Sequence, residues 1–454
     1  MTASDTTTPA SELRVPLSES GPTLLLQGYD FAERVRTRRA RHGDPDAMPL
    51  RLAGRSALLL RGPEGVRLFT DTAVVARHGA TPRLVATPLF GSGAVHGLDG
   101  EAHLQRKAMF VEATRPKEVQ RLVSTVAARW GSVMAGWKAG QQVVVEEAAV
   151  GVFGRSVLEW AGIELDAQRA EALAAQFATI VDGFAVPGAA YLRAIRARSH
   201  TDAWATHLIE DVRRHHVQPE HGSVLDLVAH WTDQGGDPLP AQVAGVELQN
   251  VLRPTVAVSR FAAFAALALA QHADWAERLA AERRDGDARP GTPPPGPPGP
   301  LALAFAHEVR RLTPFVPLLA GLTRTEVVHR GVVVPAGTRL LLDVVGTNRD
   351  ERHWPDPLVF DPTRFLPEGG GWEPDALVPQ GGGVVATGHR CPGEDTTLGL
   401  IAVTASTLAA VRWRLPAQDL RVTHHRMPTR PASGVRLVVE GPVKNPVRGS
   451  AEVA

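Results

Sequence analysis

Short apolar runs cut by glycine and proline dominate the early part of the chain. Two of them, residues 51–60 and 66–69, predict a small sheet. From residue 101 the apolar spacing changes to a helical period, giving helices over 101–137 (broken at Pro116), 143–161, 166–186 and 191–216. The most hydrophobic segment is 241–271, long and alanine-rich, with Pro254 inside it. An internal proline costs a helix about 3 kcal/mol and kinks it, so this position should repay that cost elsewhere. The apolar core of the segment, 261–270, is too short to span a bilayer and predicts a buried helix. Further on, the pattern predicts a helix at 301–311, strand pieces at 326–334 and 338–345, a loop-rich stretch over 350–388, and a last helix from 393 to about 413.

These elements describe a mainly α chain with a small β region. A single domain is expected over 14–445, with disordered tails at 1–13 and 446–454. Within it, residues 289–300 form a proline–glycine tract without a sustained three-residue glycine period, which excludes collagen. The tract predicts a stiff, solvated loop inserted over 285–300.

Charge and composition narrow the function. The 454 residues carry a formal net charge of +1, so no strong field favours nucleic acid or an anionic membrane. The start of the chain is polar and threonine-rich, with neither the basic start nor the apolar core of a signal peptide. The expectation is a cytoplasmic protein without a membrane span. A single cysteine excludes an internal disulfide and fits a reducing compartment.

That cysteine, Cys391, sits in the run Thr387-Gly388-His389-Arg390-Cys391-Pro392-Gly393-Glu394. Glycines on both sides let the backbone approach something flat or bulky. Arg390 and a helix start after Pro392 are placed to stabilise a thiolate. A thiolate so held is a candidate axial ligand for haem iron, against the plainer alternative of a buried inert thiol. Upstream, Glu308 and Arg311 lie three apart on one helix face. Arg364 follows between Phe360 and Phe365.

The order Glu-x-x-Arg, aromatic-flanked arginine, glycine-rich loop with Cys-x-Gly resembles the cytochrome P450 superfamily. That resemblance implies the superfamily's fold, with haem b between the long central helix and the cysteine-loop helix. It implies Cys391 as iron ligand and Glu308, Arg311 and Arg364 as a network that fixes the cysteine loop. It also implies that His103, Arg106 and Lys107, on the helix after Asp99-Gly100, pair with the haem propionates, with His389 joining them in the cofactor site.

Two departures point to a subgroup. The cysteine loop is extended, with Val384 where most members have phenylalanine. In the central helix, Arg253-Pro254 stands where an acid–threonine pair is expected. Both resemble the bacterial fatty-acid peroxygenases, over roughly residues 25–440. Arg253, an unpaired charge in an apolar segment, needs an anion. A fatty-acid carboxylate meets that need bidentately and can serve as the general acid–base for peroxide. The competing assignment pairs Arg253 with Glu247. Pro254 would open space for the carboxylate, and Phe90 and Phe315 would line the substrate pocket. His96 matches a position that is often glutamine in hydroxylating members and histidine in decarboxylating ones. The implied reaction uses hydrogen peroxide to hydroxylate a fatty acid at carbon 2 or 3, or to decarboxylate it to a terminal alkene, without a redox partner. The alternatives are a dioxygen-dependent monooxygenase that needs redox partners, and a non-catalytic haem or fatty-acid binding protein.

Overall fold

The computed structural model describes residues 11–39, 44–287 and 296–442. The chain enters through β1 (Ser11–Glu12), α1 (Gly21–Gln27) and α2 (Phe31–Arg39). A hairpin of β2 (Ala47–Leu52) and β3 (Arg55–Leu60) follows. Next come α3 (Gly62–Thr70), β4 (Val75–Ala76), α4 (Arg83–Phe90), α5 (Gly100–Ala113) and α6 (Pro116–Ala135). Strand β5 (Gln142–Val144) leads into α7 (Val145–Trp160), α8 (Ala167–Gly183), α9 (Ala189–Arg213) and α10 (Val224–Ala229). The central segment is α11 (Ala241–Ala257) and α12 (Ser259–Gln271), followed by α13 (Ala273–Asp287) and α14 (Pro300–Leu312). The C-terminal part contains β6 (Leu318–Thr323), β7 (Val327–His329), β8 (Val332–Val334), β9 (Arg339–Asp343), α15 (Val344–Asn348), α16 (Glu394–Ala409), β10 (Val411–Arg414) and β11 (Arg436–Pro442).

The mainly α reading holds, and the strands form three small sheets. The largest has the order β2-β3-β9-β6-β4, with β3 and β9 parallel. The helical core gathers around α16, whose residues are buried on every side except Asp395. A helix apolar all round belongs at a centre, not a surface. Trp130 of α6 packs edge-on against Phe153 of α7, and its Nε1 donates to Thr404 Oγ1 of α16 at 3.0 Å. Each such large side chain contributes roughly 1.5–3 kcal/mol through burial.

Several expectations change. Residues 66–69 are helical, not a strand. Pro63 occupies the first turn of α3, where its missing N–H costs nothing, and Val66 and Phe69 bury one face three residues apart. The helix expected from 393 to 413 stops at Ala409, and 411–414 become a strand. The central segment is two helices. Val258 N–H bonds back three residues to Thr255 O at 3.2 Å, and the regular spacing resumes when Ala262 N–H reaches Val258 O at 3.1 Å. The whole stretch Ala241–Gln271 is long and apolar enough to cross a membrane, but 83% of its apolar 18-residue window is buried inside the fold.

Of the residues expected as a tail at 1–13, Ser11 and Glu12 instead pair with Val332 and Val333. Residues 1–10 and the tail at 446–454 lie outside the described residues. So do 288–295 within the proline–glycine tract, where α13 closes and α14 opens with Pro300 in its first turn.

Candidate active site

Cys391 precedes α16 in a loop held from both sides. Its N–H donates to Gln380 O at 3.1 Å. Arg310 Nη1 donates to Gln380 Oε1 at 3.0 Å and also to Glu394 Oε1. Arg390 Nε donates to Glu394 Oε2 at 2.7 Å. Arg390 is therefore committed to Glu394 and does not stabilise a thiolate as its sequence position suggests. Burial pushes the Cys391 thiol above its ordinary value, while the Gly393 N–H and Lys107 pull the other way. A thiolate here needs a metal to hold it. The extra residues of the extended loop turn outward: Gly388 N–H bonds to Val384 O at 2.9 Å and Val384 is 63% exposed.

The Glu308 network exists but acts one step away. Arg311 binds Glu308 bidentately at 2.6 and 2.7 Å, with both side chains fully buried. Its Nη1 also donates to Asn348 O and Pro357 O at 2.9 Å. Arg364 Nε approaches Glu308 Oε1 at 3.7 Å. These bonds fix residues 348–364. The direct hold on the cysteine loop comes from Arg310, Gln380 and Glu394, which sequence reading missed.

Helix α5 presents His103 and Lys107 toward the same loop. The His103 and His389 rings stack at 3.8 Å, and Lys107 Nζ donates to Arg390 O. Burial lowers His103 to about 4 and His389 to about 2, so both are neutral at ordinary pH. Burial also lowers Lys107, to about 8, against the pull of Cys391. Arg77, absent from the sequence reading, lies near both histidines, and its Nη1 is buried without a hydrogen-bond partner. Arg106 turns away. Its Nη1 donates to Glu247 at 2.8 Å and to Gly93 O at 3.4 Å, so it is not free for a cofactor carboxylate.

That pairing also answers the question of Arg253. Glu247 accepts from Val95 N at 2.7 Å, from Arg106 and from Asn250 Nδ2 at 3.0 Å, so it is spent. Arg253 makes one side-chain bond, Nη2 to Asn250 Oδ1 at 2.8 Å, and its buried Nε has no partner. Burial and then neighbouring Arg198 push its pKa down to about 9. Such a site resists a cation until an anion arrives.

Pro254, next in the helix, is exposed although its neighbours on both sides are buried. His96 is enclosed by protein and lowered to about 3 by burial and then Arg253, yet its ring surface remains open. Enclosure without loss of accessible surface marks side chains that line an internal space. Phe90 stacks on His96 at 3.9 Å and 12°. Phe315 is placed through its backbone, its carbonyl accepting from Tyr29 Oη at 2.6 Å. No ring or polar contact joins Phe315 to Arg253.

The donor set fits haem. Among the described residues no three His, Cys, Asp or Glu side chains converge on one point. A metal at Cys391 therefore brings its remaining ligands with it, as iron in a macrocycle does. Lys107 and two neutral histidines, with Arg77 near both histidines, suit the macrocycle's carboxylates.

A family model for cytochrome P450 matches residues 266–419. Among solved structures, a variant of cytochrome P450SP alpha (CYP152B1) is 32% identical, with 93% of this chain and 99% of that one covered and a TM-score of 0.84. A variant of cytochrome P450 OleT in complex with arachidonic acid is 29% identical, with 96% and 100% covered and a TM-score of 0.86. Cytochrome P450EX alpha (CYP152N1) with myristic acid is 30% identical, with 94% and 98% covered and a TM-score of 0.82. Among curated proteins, abscisic acid 8'-hydroxylase 3 of Oryza sativa subsp. indica is 21% identical over 90% of this chain and 82% of its own length. A flavonoid 3'-monooxygenase of Oryza sativa subsp. japonica is 38% identical over 124 residues, 26% of this chain and 22% of that protein.

Proposed function

We propose, for a chain that belongs to the cytochrome P450 superfamily and to its fatty-acid peroxygenase group, that it oxidises fatty acids with hydrogen peroxide at the carbons next to the carboxylate. The observation that carries this reading is Arg253: a buried guanidinium with an unpartnered Nε, beside a glutamate already spent on Arg106. Haem b bound through Cys391 would supply peroxide activation and hydrogen abstraction from carbon.

The chain's own residues do the rest. Arg253 accepts the fatty-acid carboxylate in a charge-assisted pair and fixes its distance from the cysteine-loop side. Pro254 has no N–H to offer and leaves the helix surface beside the arginine open. The anchored carboxylate takes a proton from peroxide and returns it to the departing oxygen, which leaves as water. Hydroxylation then balances as R–H plus hydrogen peroxide giving R–OH plus water. Decarboxylation balances as the acid plus hydrogen peroxide giving the terminal alkene, carbon dioxide and two waters. His96, held neutral beside Arg253, acts as a hydrogen-bonding group stacked on Phe90, and Phe90 closes the chamber wall. His103, Lys107, His389 and Arg77 would hold the propionates. A cytoplasmic location and independence from redox partners belong to the same reading.

The test is purified holoprotein with hydrogen peroxide and a fatty-acid series, without reductase or nicotinamide. Hydroxy acids or terminal alkenes are expected by mass spectrometry. Product only after redox partners are added would favour the dioxygen-dependent monooxygenase. Fatty-acid binding without turnover under either condition would favour a carrier. Replacing Cys391 by alanine is expected to remove the haem-thiolate absorbance of the carbon monoxide complex.

A further inference from the structure

The turn between α8 and α9 carries the run Ala185-Val186-Pro187-Gly188-Ala189-Ala190-Tyr191-Leu192, which contains no charged residue. Its single polar side chain is spent, since Tyr191 Oη donates to Leu84 O at 2.8 Å. That bond holds the tip against the outer end of α4. Leu192 is 69% exposed and Leu84 73%. The segment 424–426 continues the same face toward α1. Arg426 Nη2 donates to Asp182 O at 3.1 Å, and Tyr29 N–H donates to His424 O at 2.9 Å. One turn before Tyr29, Leu25 and Leu26 stand exposed on α1. Single exposed leucines need no explanation, but an apolar tip with leucines beside it marks a contact surface.

The free charges around this tip have one sign. Arg83 precedes Leu84, and Arg193 and Arg196 follow Leu192 on α9. All three are exposed, and among the described residues none meets a carboxylate. Asp182, the acid nearest the tip in sequence, is paired with Arg260 and Arg426. From Leu192 to His207 the exposed side chains of α9 include no acid. The overall charge of +1 conceals this local excess. An apolar tip ringed by unpaired arginines complements a surface that is anionic outside and apolar beneath.

The same face leads toward Arg253. At the inner end of α4, Phe90 stacks on His96, and its carbonyl accepts from Asn250, the partner of Arg253. Leu84 stands six residues outward, about 9 Å along the helix. A fatty acid in a bilayer keeps its carboxylate at the water boundary. It therefore leaves the lipid head first, the order that seats the carboxylate deepest.

We propose that this face docks on an anionic lipid bilayer, with the 185–192 tip and Leu84 among the acyl chains and Arg83, Arg193 and Arg196 on the lipid phosphates, and that substrate is drawn from that bilayer. Docking stands on the surface alone, whereas delivery of substrate rests on the fatty-acid reading above.

The test is sedimentation of the holoprotein with vesicles of phosphatidylcholine, and with vesicles of equal parts phosphatidylcholine and phosphatidylglycerol, without substrate or peroxide. Binding to the mixed vesicles is expected to be about a hundredfold tighter than to the neutral ones, and to weaken with salt. Arg83→Gln, Arg193→Gln and Arg196→Gln should each weaken it about fivefold. Leu84→Asp/Leu192→Asp should abolish it, while dissolved dodecanoic acid is still turned over at the wild-type rate. Turnover of octadecanoic acid carried in the mixed vesicles should be lost in that variant. No binding to mixed vesicles overturns the proposal, as does binding that Leu84→Asp/Leu192→Asp retains. Dimerisation that this variant abolishes, without vesicle binding, assigns the face to a second copy of the chain and also overturns it. Equal turnover of vesicle-borne acid by wild type and variant overturns delivery alone. If the wild type fails to oxidise dissolved acid, the fatty-acid reading falls and delivery with it, while sedimentation still decides docking.

Discussion

Arg311 and Arg253 are both buried helical arginines, and each bonds the side chain three residues before it. Three residues before Arg311 stands Glu308, a carboxylate, whereas three before Arg253 stands Asn250, a carboxamide. Glu308 neutralises Arg311, and backbone carbonyls take its remaining donors. Asn250 leaves Arg253 charged, with a bare Nε. The same arginine at the same helical spacing is scaffold in one place and a receptor in the other. What separates them is whether the protein itself supplies the anion.

The sharpest way to break this comparison is to make Arg311 resemble Arg253. Glu308→Gln leaves a fully buried guanidinium without its counter-charge, and should cost about 3–5 kcal/mol in urea unfolding. A smaller loss would mean that the carbonyls alone sustain Arg311. The converse change, Arg253→Ala, should leave unfolding unchanged or slightly improved, since it removes an unbalanced charge from the interior. Fatty-acid turnover should fall by two orders of magnitude or about 2.7 kcal/mol, with haem still bound. Normal turnover in that variant would end the anchor argument. Arg253→Lys keeps the charge but loses the planar fork, and a drop of about tenfold in kcat/KM is expected, concentrated in KM.

How much of this was legible in the sequence depends on the reach of each interaction. The helices over 101–137, 143–161, 166–186, 191–216 and 301–311 follow from apolar spacing, whereas α10 and α13 were not read from it, and Pro116 marks a helix start because a proline there gives up nothing. Residues 62–70 misled because Gly-Pro-Glu-Gly looks like a turn, whereas Pro63 sits in the first helical turn. Cys391, Glu308–Arg311 and Arg253–Pro254 are local motifs and were visible as such. The partners that give them meaning are not local. Arg310 meets Glu394 across 84 residues and Arg106 meets Glu247 across 141. No spacing rule connects them, so Arg106 read as a cofactor ligand until its partner came into view. Arg77 was missed for the same reason: what marks it is an absent partner, and absence is visible only in three dimensions.

The smallest expected effect lies on the receptor side, in the acid stability of His96. Its pKa falls from the ordinary value near 6.5 to about 3, chiefly through burial and then through Arg253, Lys107, His103 and Arg198. The folded protein thus refuses a proton that the unfolded chain accepts. Stability contributed by neutral His96 is present above the unfolded value and is lost as pH falls from about 6.5 toward 3. A fully enclosed group would give up to about 1.4 kcal/mol per pH unit over that range. The open ring surface of His96 admits water, so a few tenths of that is expected. His96→Gln removes the titration, so the stability difference between wild type and variant should move in the variant's favour between pH 7 and pH 5, read from urea midpoints at each pH. A difference independent of pH would mean that His96 takes up its proton in the folded protein as readily as in water, and that the chamber around Arg253 is wetter than its bare nitrogens imply.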